Sequence, residues 1–264
     1  MTIFNIKLPK KNKVPVIISS PHSGTYFPEE VKTQLKPEVL ENPDDTDWFI
    51  DKLYDFGPDM GITFITANYN RWVIDLNRNP ESKPLYTDGR VITGLVPTTN
   101  FNGDSLYIDK EPSEDEIERR LKTYYQPYHH KLAELINEIK NEFGKVLLFD
   151  AHSIRDLVPG IRQEAFPQLI LGDNDETTAS KDIINTAMDT LGKGPYQLEH
   201  NYPFKGGYIT RHFGNPKENI HALQLEMCKS NYMDDTQTKY NKEKAKTMRT
   251  LLQTLFSNLI EHLN

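Results

Sequence analysis

Short apolar runs rich in β-branched residues alternate along this chain with segments of helical periodicity. That alternation restricts the possible folds more than any other feature. The stretches "VPVIISS" (14–20), "GITFITAN" (61–68), "RWVIDLN" (71–77), "KVLLFD" (145–150) and "QLILG" (168–172) read as strands, as do "YITRHFG" (208–214) and "IHALQLEM" (220–227). Between them, "DWFIDKLYDFG" (47–57) reads as a short helix ending near Gly57. The clearest helix spans 112–144. Ser113 and Glu116 form a capping box, and Ile117, Leu121, Tyr124, Tyr128, Leu132, Leu135, Ile139 and Phe143 step by three or four. Pro127 predicts a kink in it. Further helices are expected near 178–191 and 236–262. Residues 78–112, punctuated by proline and glycine, read as an excursion with short strands at most. Strands alternating with helices predict an α/β fold with a mainly parallel sheet. With no linker or repeat in sight, 264 residues suit one domain, 1–264.

A chain of this size buries about three quarters of its unfolded surface, so it needs no staple to fold. Cys228 is the single cysteine, which excludes a disulfide framework and points to a reducing, cytoplasmic home. The start, "MTIFNIKLPKKNK", lacks the apolar core of a signal peptide, and no run approaches the ~20 apolar residues of a membrane span. A formal charge of −7 without a dense basic tract argues against nucleic acid as a partner. An anionic small molecule would have to be met by arginines gathered locally.

In α/β sheets, ligands bind outside the carboxyl ends of the strands. Polar groups collect at such ends: His22 after "VIIS", Asp150 and His152 in "DAHS", and Asp75, Asn77 and Arg78 in "DLNR". Glu226 is a carboxylate inside an apolar strand, where an uncompensated charge is costly. Neutral imidazoles and carboxylates are ligands that zinc accepts, and a nearby glutamate can move the proton of an attacking water. The helical zinc signature of two histidines flanking a glutamate is absent. His129 and His130 lie mid-helix and read as structural or solvated.

The motifs "PHSGTYFP", "DDTDWFIDKLYDFG", "NYNRWVIDLNRNP", "ITGLVPTTNFNG", "DAHSIR", "FKGGYITRHFG" and "HALQLEM" resemble those of the N-formylglutamate amidohydrolase (deformylase) family. The resemblance runs from about residue 14 to about 235, with the motifs in order. The family is more distantly similar to zinc carboxypeptidases, which implies a three-layer αβα arrangement on a mainly parallel, mixed sheet of the zinc-carboxypeptidase-like (phosphorylase/hydrolase-like) kind. It also implies metal ligands at His22 and His152, a substrate-carboxylate grip at Asn77 and Arg78, and a catalytic glutamate at Glu226. Thr25 stands where the carboxypeptidase pattern has a glutamate ligand. The resemblance then points to the family's acid-rich "DDTDW" for the third ligand, expected at Asp47, which opens the helix just before Trp48, with Asp45 and Asp44 as alternatives. Arg71 is the expected partner of the developing oxyanion. Arg211, with His212, is expected to meet the second carboxylate, ahead of Arg155 and Arg162.

The implied reaction is metal-dependent hydrolysis of N-formyl-L-glutamate, a small dianion, to formate and L-glutamate in histidine degradation. One divalent ion is implied, zinc first, although manganese, iron, cobalt or nickel suit the same donors. Two alternatives stand beside it. One is a hydrolase of another N-acyl amino acid or short peptide; the other is a non-catalytic binder of acidic amino acids. The sequence does not set the oligomeric state.

Overall fold

The computed structural model describes residues 1–81 and 93–263. Its frame is a seven-stranded sheet: β1 (Phe4–Lys7), β2 (Val16–Ser20), β3 (Thr63–Ala67), β4 (Val146–Ile154), β5 (Leu169–Gly172), β6 (Leu198–His200) and β7 (Ile220–Cys228), in the order β1-β3-β2-β4-β7-β5-β6. The central strands β3, β2, β4 and β7 run parallel, whereas β1 is antiparallel to β3 and β5 to β7. This is the mainly parallel α/β sheet that the alternation predicts, made mixed by β1 and β5 as the family resemblance implies.

The helices are α1 (Glu29–Lys32), α2 (Pro37–Glu41), α3 (Ile50–Leu53), α4 (Glu114–Arg120), α5 (Gln126–Phe143), α6 (Lys181–Leu191), α7 (Tyr208–Phe213) and α8 (Lys242–Leu263). They divide between the sheet's two faces because each central strand is apolar on both. Leu147, Phe149 and Ala151 of β4 pack with Ile183 and Leu191 of α6 and with Leu252, Leu255 and Phe256 of α8. On the other face, Val146 and Leu148 pack with Tyr128, Leu132, Ile136 and Ile139 of α5. No helix among the described residues is long and apolar enough to cross a membrane.

Several local readings need correction. Residues 71–77 form turns rather than a strand, although all are buried. Residues 208–214 contain helix α7 instead of a strand; for so short an apolar run, periodicity does not separate the two. The 47–57 segment is helical only over α3, followed by a 3₁₀ turn at Gly57–Met60. Phe49, with φ of 63°, breaks the chain just before α3. The edge strands β1 and β6 carry too little apolar content to be seen in advance. In the 78–112 excursion, Thr99 and Ser105 form an isolated bridge, and Leu35 pairs with Tyr107; Pro84 and Gly89 lie outside the described residues. The long helix keeps its Ser113 cap, with Ser113 Oγ accepting from the Glu116 amide. A π-turn over Leu121–Tyr125 precedes α5, in whose first turn Pro127 sits.

Strand β4 is longer than expected, and this extension positions the site. Asp150 and His152 lie inside it, on the same face as Val146 and Leu148. In the parallel register with β7, Asp150 is opposite Gln224 and His152 is opposite Glu226. One face of the sheet therefore changes from apolar to polar halfway along β4 and β7. Beyond the polar patch it becomes apolar again at Ile154, Ile170 and Cys228.

Candidate metal centre and active site

His22 follows the end of β2 and His152 lies in β4, an adjacent parallel strand. Their ring centroids are 4.9 Å apart. The third member comes from the "DDTDW" loop. Its conformation separates three nearby aspartates into three roles. Asp44 pairs with Arg155 at 2.6 Å. Asp45 is buried and accepts from the Trp72 indole and the Phe101 amide, both at 3.0 Å. Asp47 turns inward, its Oδ2 lying 3.0 Å from His152 Nδ1 and 3.8 Å from His22 Nδ1. One donor atom from each of His22, Asp47 and His152 lies within 4.8 Å of the others, and all three residues are buried. The loop is anchored by the Asp47 amide on the His22 carbonyl, by Lys229 Nζ on the Asp44 carbonyl, and by the Tyr232 hydroxyl on the Trp48 carbonyl.

Both imidazoles turn Nδ1 toward Asp47 and Nε2 toward another buried carboxylate. His22 Nε2 is 2.7 Å from Asp75 Oδ1, and His152 Nε2 is 2.9 Å from Asp150 Oδ2. An imidazole whose outer nitrogen is held by a carboxylate has its tautomer and ring orientation fixed for metal ligation by the inner one. The donor set and its backing therefore fit a divalent ion. Asp75 and Asp150 are the parts that sequence reading singled out without assigning a role. The available signal is spacing: each aspartate stands two residues before a candidate site residue, Asn77 or His152.

The charges are compensated. Burial would raise the Asp75 carboxyl, but Arg71, Arg78 and His22 outweigh it and hold that group well below the usual carboxylate range. Burial lowers His22, helped by Arg71, which keeps its ring neutral. Burial would also lower His152, yet Asp150 and Asp47 together raise it well above the usual imidazole range. Glu226 is partly exposed at the edge of the patch. Burial of its carboxyl group pushes it up to about 8, with Asp47 and Asp150 adding to the rise and His152 and Arg71 opposing it.

The other expected site residues divide. Arg71 is buried, donates to Asp75 Oδ2 at 2.6 Å and lies over the Phe101 ring. Asn77 is buried too. Its Oδ1 accepts from the Ile209 amide, and its Nδ2 donates to Asp150 and lies 3.0 Å from His152 Nε2. Arg78 is partly exposed and donates to the carbonyl and hydroxyl of Thr93. Arg211 and His212 sit in the last turn of α7, where Arg211 Nε donates to the Gly206 carbonyl and His212 stacks on Tyr208. The two glycines before α7 allow a close approach. A Cβ on Gly207 would fall 2.2 Å from Asn77 Nδ2, and the Gly207 amide donates to Gln224.

Comparison with known proteins gives the chain's family. The N-formylglutamate amidohydrolase family model matches residues 14–233. The chain is 38% identical over 255 residues to an N-formylglutamate deformylase of Pseudomonas aeruginosa, covering 95% of this chain and 94% of that one. It is 36% identical over 253 residues to an N-formylglutamate deformylase of Pseudomonas putida, with the same coverage. The crystal structure of an N-formylglutamate amidohydrolase from Ralstonia eutropha superposes with a TM-score of 0.82 over 99% of both chains, at 27% identity. By family model, identity and fold alike, the chain belongs to the N-formylglutamate amidohydrolase family.

Proposed function

We propose that this protein hydrolyses the formamide bond of N-formyl-L-glutamate, giving formate and L-glutamate, with one divalent metal ion, zinc first, held by His22, Asp47 and His152. The observation that carries the reading is the buried His22–Asp47–His152 group, with a carboxylate behind each imidazole, in a chain this similar to N-formylglutamate deformylases. When bound, such an ion polarises a carbonyl oxygen and lowers the pKa of water toward ~7.

The chain's own residues do the rest. Glu226 takes the proton of the attacking water and delivers it to the leaving nitrogen. A carboxyl pushed up to about 8 is suited to giving and taking a proton near neutral pH. Arg71, fixed by Asp75, supplies positive charge for the oxyanion that develops at the formyl carbon. Arg78 grips one substrate carboxylate. Asn77, whose amide already serves Ile209 and Asp150, supports that grip by fixing the segment. Arg211 and His212 face the second carboxylate. A place in histidine degradation and a cytoplasmic home belong to the same proposal.

Formate release decides the reading. The purified protein should release formate from N-formyl-L-glutamate, lose that activity in EDTA and regain it with added zinc. N-acetyl- and N-succinyl-L-glutamate should be turned over far more slowly. Binding of N-formylglutamate without formate release under any metal would leave a non-catalytic binder. Equal rates on the three acyl groups would leave a broader N-acyl hydrolase.

Arg78→Lys keeps the charge but replaces a planar fork with a point donor. The expected result is a KM for N-formylglutamate raised by about tenfold or more, from loss of a bidentate charge-assisted pair. Unchanged kinetics would remove Arg78 from the carboxylate grip.

A further inference from the structure

Residues 71–77 are buried but belong to no strand, so their carbonyls need donors from elsewhere. Three carbonyls in this segment and at Arg78 are taken by side chains of the long helix. Arg120 Nη1 donates to the Val73 carbonyl at 3.2 Å, His129 Nε2 to the Leu76 carbonyl at 2.8 Å, and the Tyr125 hydroxyl to the Arg78 carbonyl at 2.8 Å.

The π-turn makes this possible. Residues five apart in an α-helix point about 140° away from each other. Here the Gln126 amide reaches back five residues to the Leu121 carbonyl, and the extra residue in that turn brings Arg120 and Tyr125 toward one face. His129, one turn further on, stacks on Tyr125 with centroids 4.0 Å apart, and lies nearly parallel to Phe213 of α7. Burial lowers His129 to about 4, so at neutral pH one ring nitrogen carries the proton that the Leu76 carbonyl accepts.

The segment so held carries Asp75, the partner of His22 Nε2, and Asn77, which lies against His152 Nε2 and Asp150. We infer that Arg120, Tyr125 and His129 form a side-chain clamp on the main chain of residues 73–78, and that they are positioning residues which set Asp75 and Asn77 against the two histidines and Arg78 against substrate. The inference rests on the proposed metal site for its functional consequence and on the hydrogen bonds alone for the clamp itself.

The test uses the full chain with His129→Leu, His129→Gln and Tyr125→Phe. Glutamine keeps a donor within reach of the Leu76 carbonyl, whereas leucine does not. Zinc affinity is measured on EDTA-stripped protein by competition with a chromophoric chelator, and amide hydrogen exchange is followed over residues 73–78. His129→Leu should weaken zinc about three- to tenfold, less than loss of a direct outer-shell partner, and His129→Gln should recover most of that. Tyr125→Phe should raise the KM for N-formylglutamate about three- to tenfold with kcat within about twofold, as expected for one lost hydrogen bond. Exchange over 73–78 should quicken in both His129→Leu and Tyr125→Phe.

Folded His129→Leu with unchanged zinc affinity and unchanged exchange would overturn the clamp. So would a His129→Gln variant no better than His129→Leu, or a lowered Tm with kinetics and affinity intact. If the wild type releases no formate, faster exchange and weaker zinc in His129→Leu still support the clamp, and only the substrate is wrong. If the wild type binds no zinc, exchange alone decides: reversal of the His129→Leu effect by glutamine supports the clamp, and its absence overturns it.

Discussion

Glu226→Gln is expected to lower turnover on N-formyl-L-glutamate by roughly 10²–10⁴ while fold and metal content survive. Glutamine fills the same space beside His152 but cannot accept a proton. A second, independent signature follows from the raised carboxyl. In the unfolded chain it ionises near the ordinary 4.5, whereas in the folded protein it keeps its proton until about 8. The folded state binds more protons over that interval, so the group opposes folding increasingly as pH rises from 4.5 to 8. Metal-stripped Glu226→Gln should therefore melt above metal-stripped wild type at pH 8, and level with it at pH 4. Near-normal turnover would make Glu226 a structural carboxylate. Metal lost together with activity would make it a ligand.

His152→Ala and His22→Ala should each lose bound metal and activity together. The affinity loss should exceed the 10–100-fold that removal of an outer-shell partner costs. Calorimetry gives a sharper readout for His152. Asp150 and Asp47 hold its ring protonated in the metal-free protein, yet a ligating imidazole must be neutral. Zinc binding at pH 7 should therefore release a proton to buffer and weaken as pH falls. Full metal occupancy and turnover in either alanine variant would show the centre to be misplaced. Asp47→Asn should weaken zinc in the same way, while Asp45→Asn should cost stability by releasing Trp72 and Phe101. The reverse pattern would move the third ligand to Asp45.

The sheet was legible because its central strands are doubly buried and nearly continuous in apolar residues, as in "VIISS" and "VLLFD". The histidines and Glu226 were legible because a polar group inside or just after such a run needs a reason. The irregular segment 71–77 was not. Trp72, Val73 and Ile74 look like a strand, but the Trp72 and Val73 amides turn back onto Asn70 and the Val73 carbonyl is met by Arg120 of the long helix, a pairing that no local pattern records. Helix α7 was misread for a related reason. Tyr208 and Ile209 are fixed by the Asn77 carbonyl and amide oxygens, far away in sequence. The family's "DDTDW" pattern pointed to this loop, and Asp47 stood out within it only by its place just before Trp48, whereas the fold alone turns Asp44 and Asp45 to other partners. The left-handed Phe49 that helps set the loop apart from α3 has no signature in a sequence without glycine at that point.

The change of face along β4 and β7 constrains how chains of this kind can vary in length. Asp150 and His152 share a side with Leu148, and Phe149 and Ala151 share the opposite side with Leu147. Inserting one residue within β4 ahead of Phe149 would turn both acid and imidazole into the apolar layer under α6 and α8, and set Phe149 opposite Gln224 and Ala151 opposite Glu226. The two strands thus behave as a reading frame of two, and single-residue insertions and deletions are confined to the connections outside them.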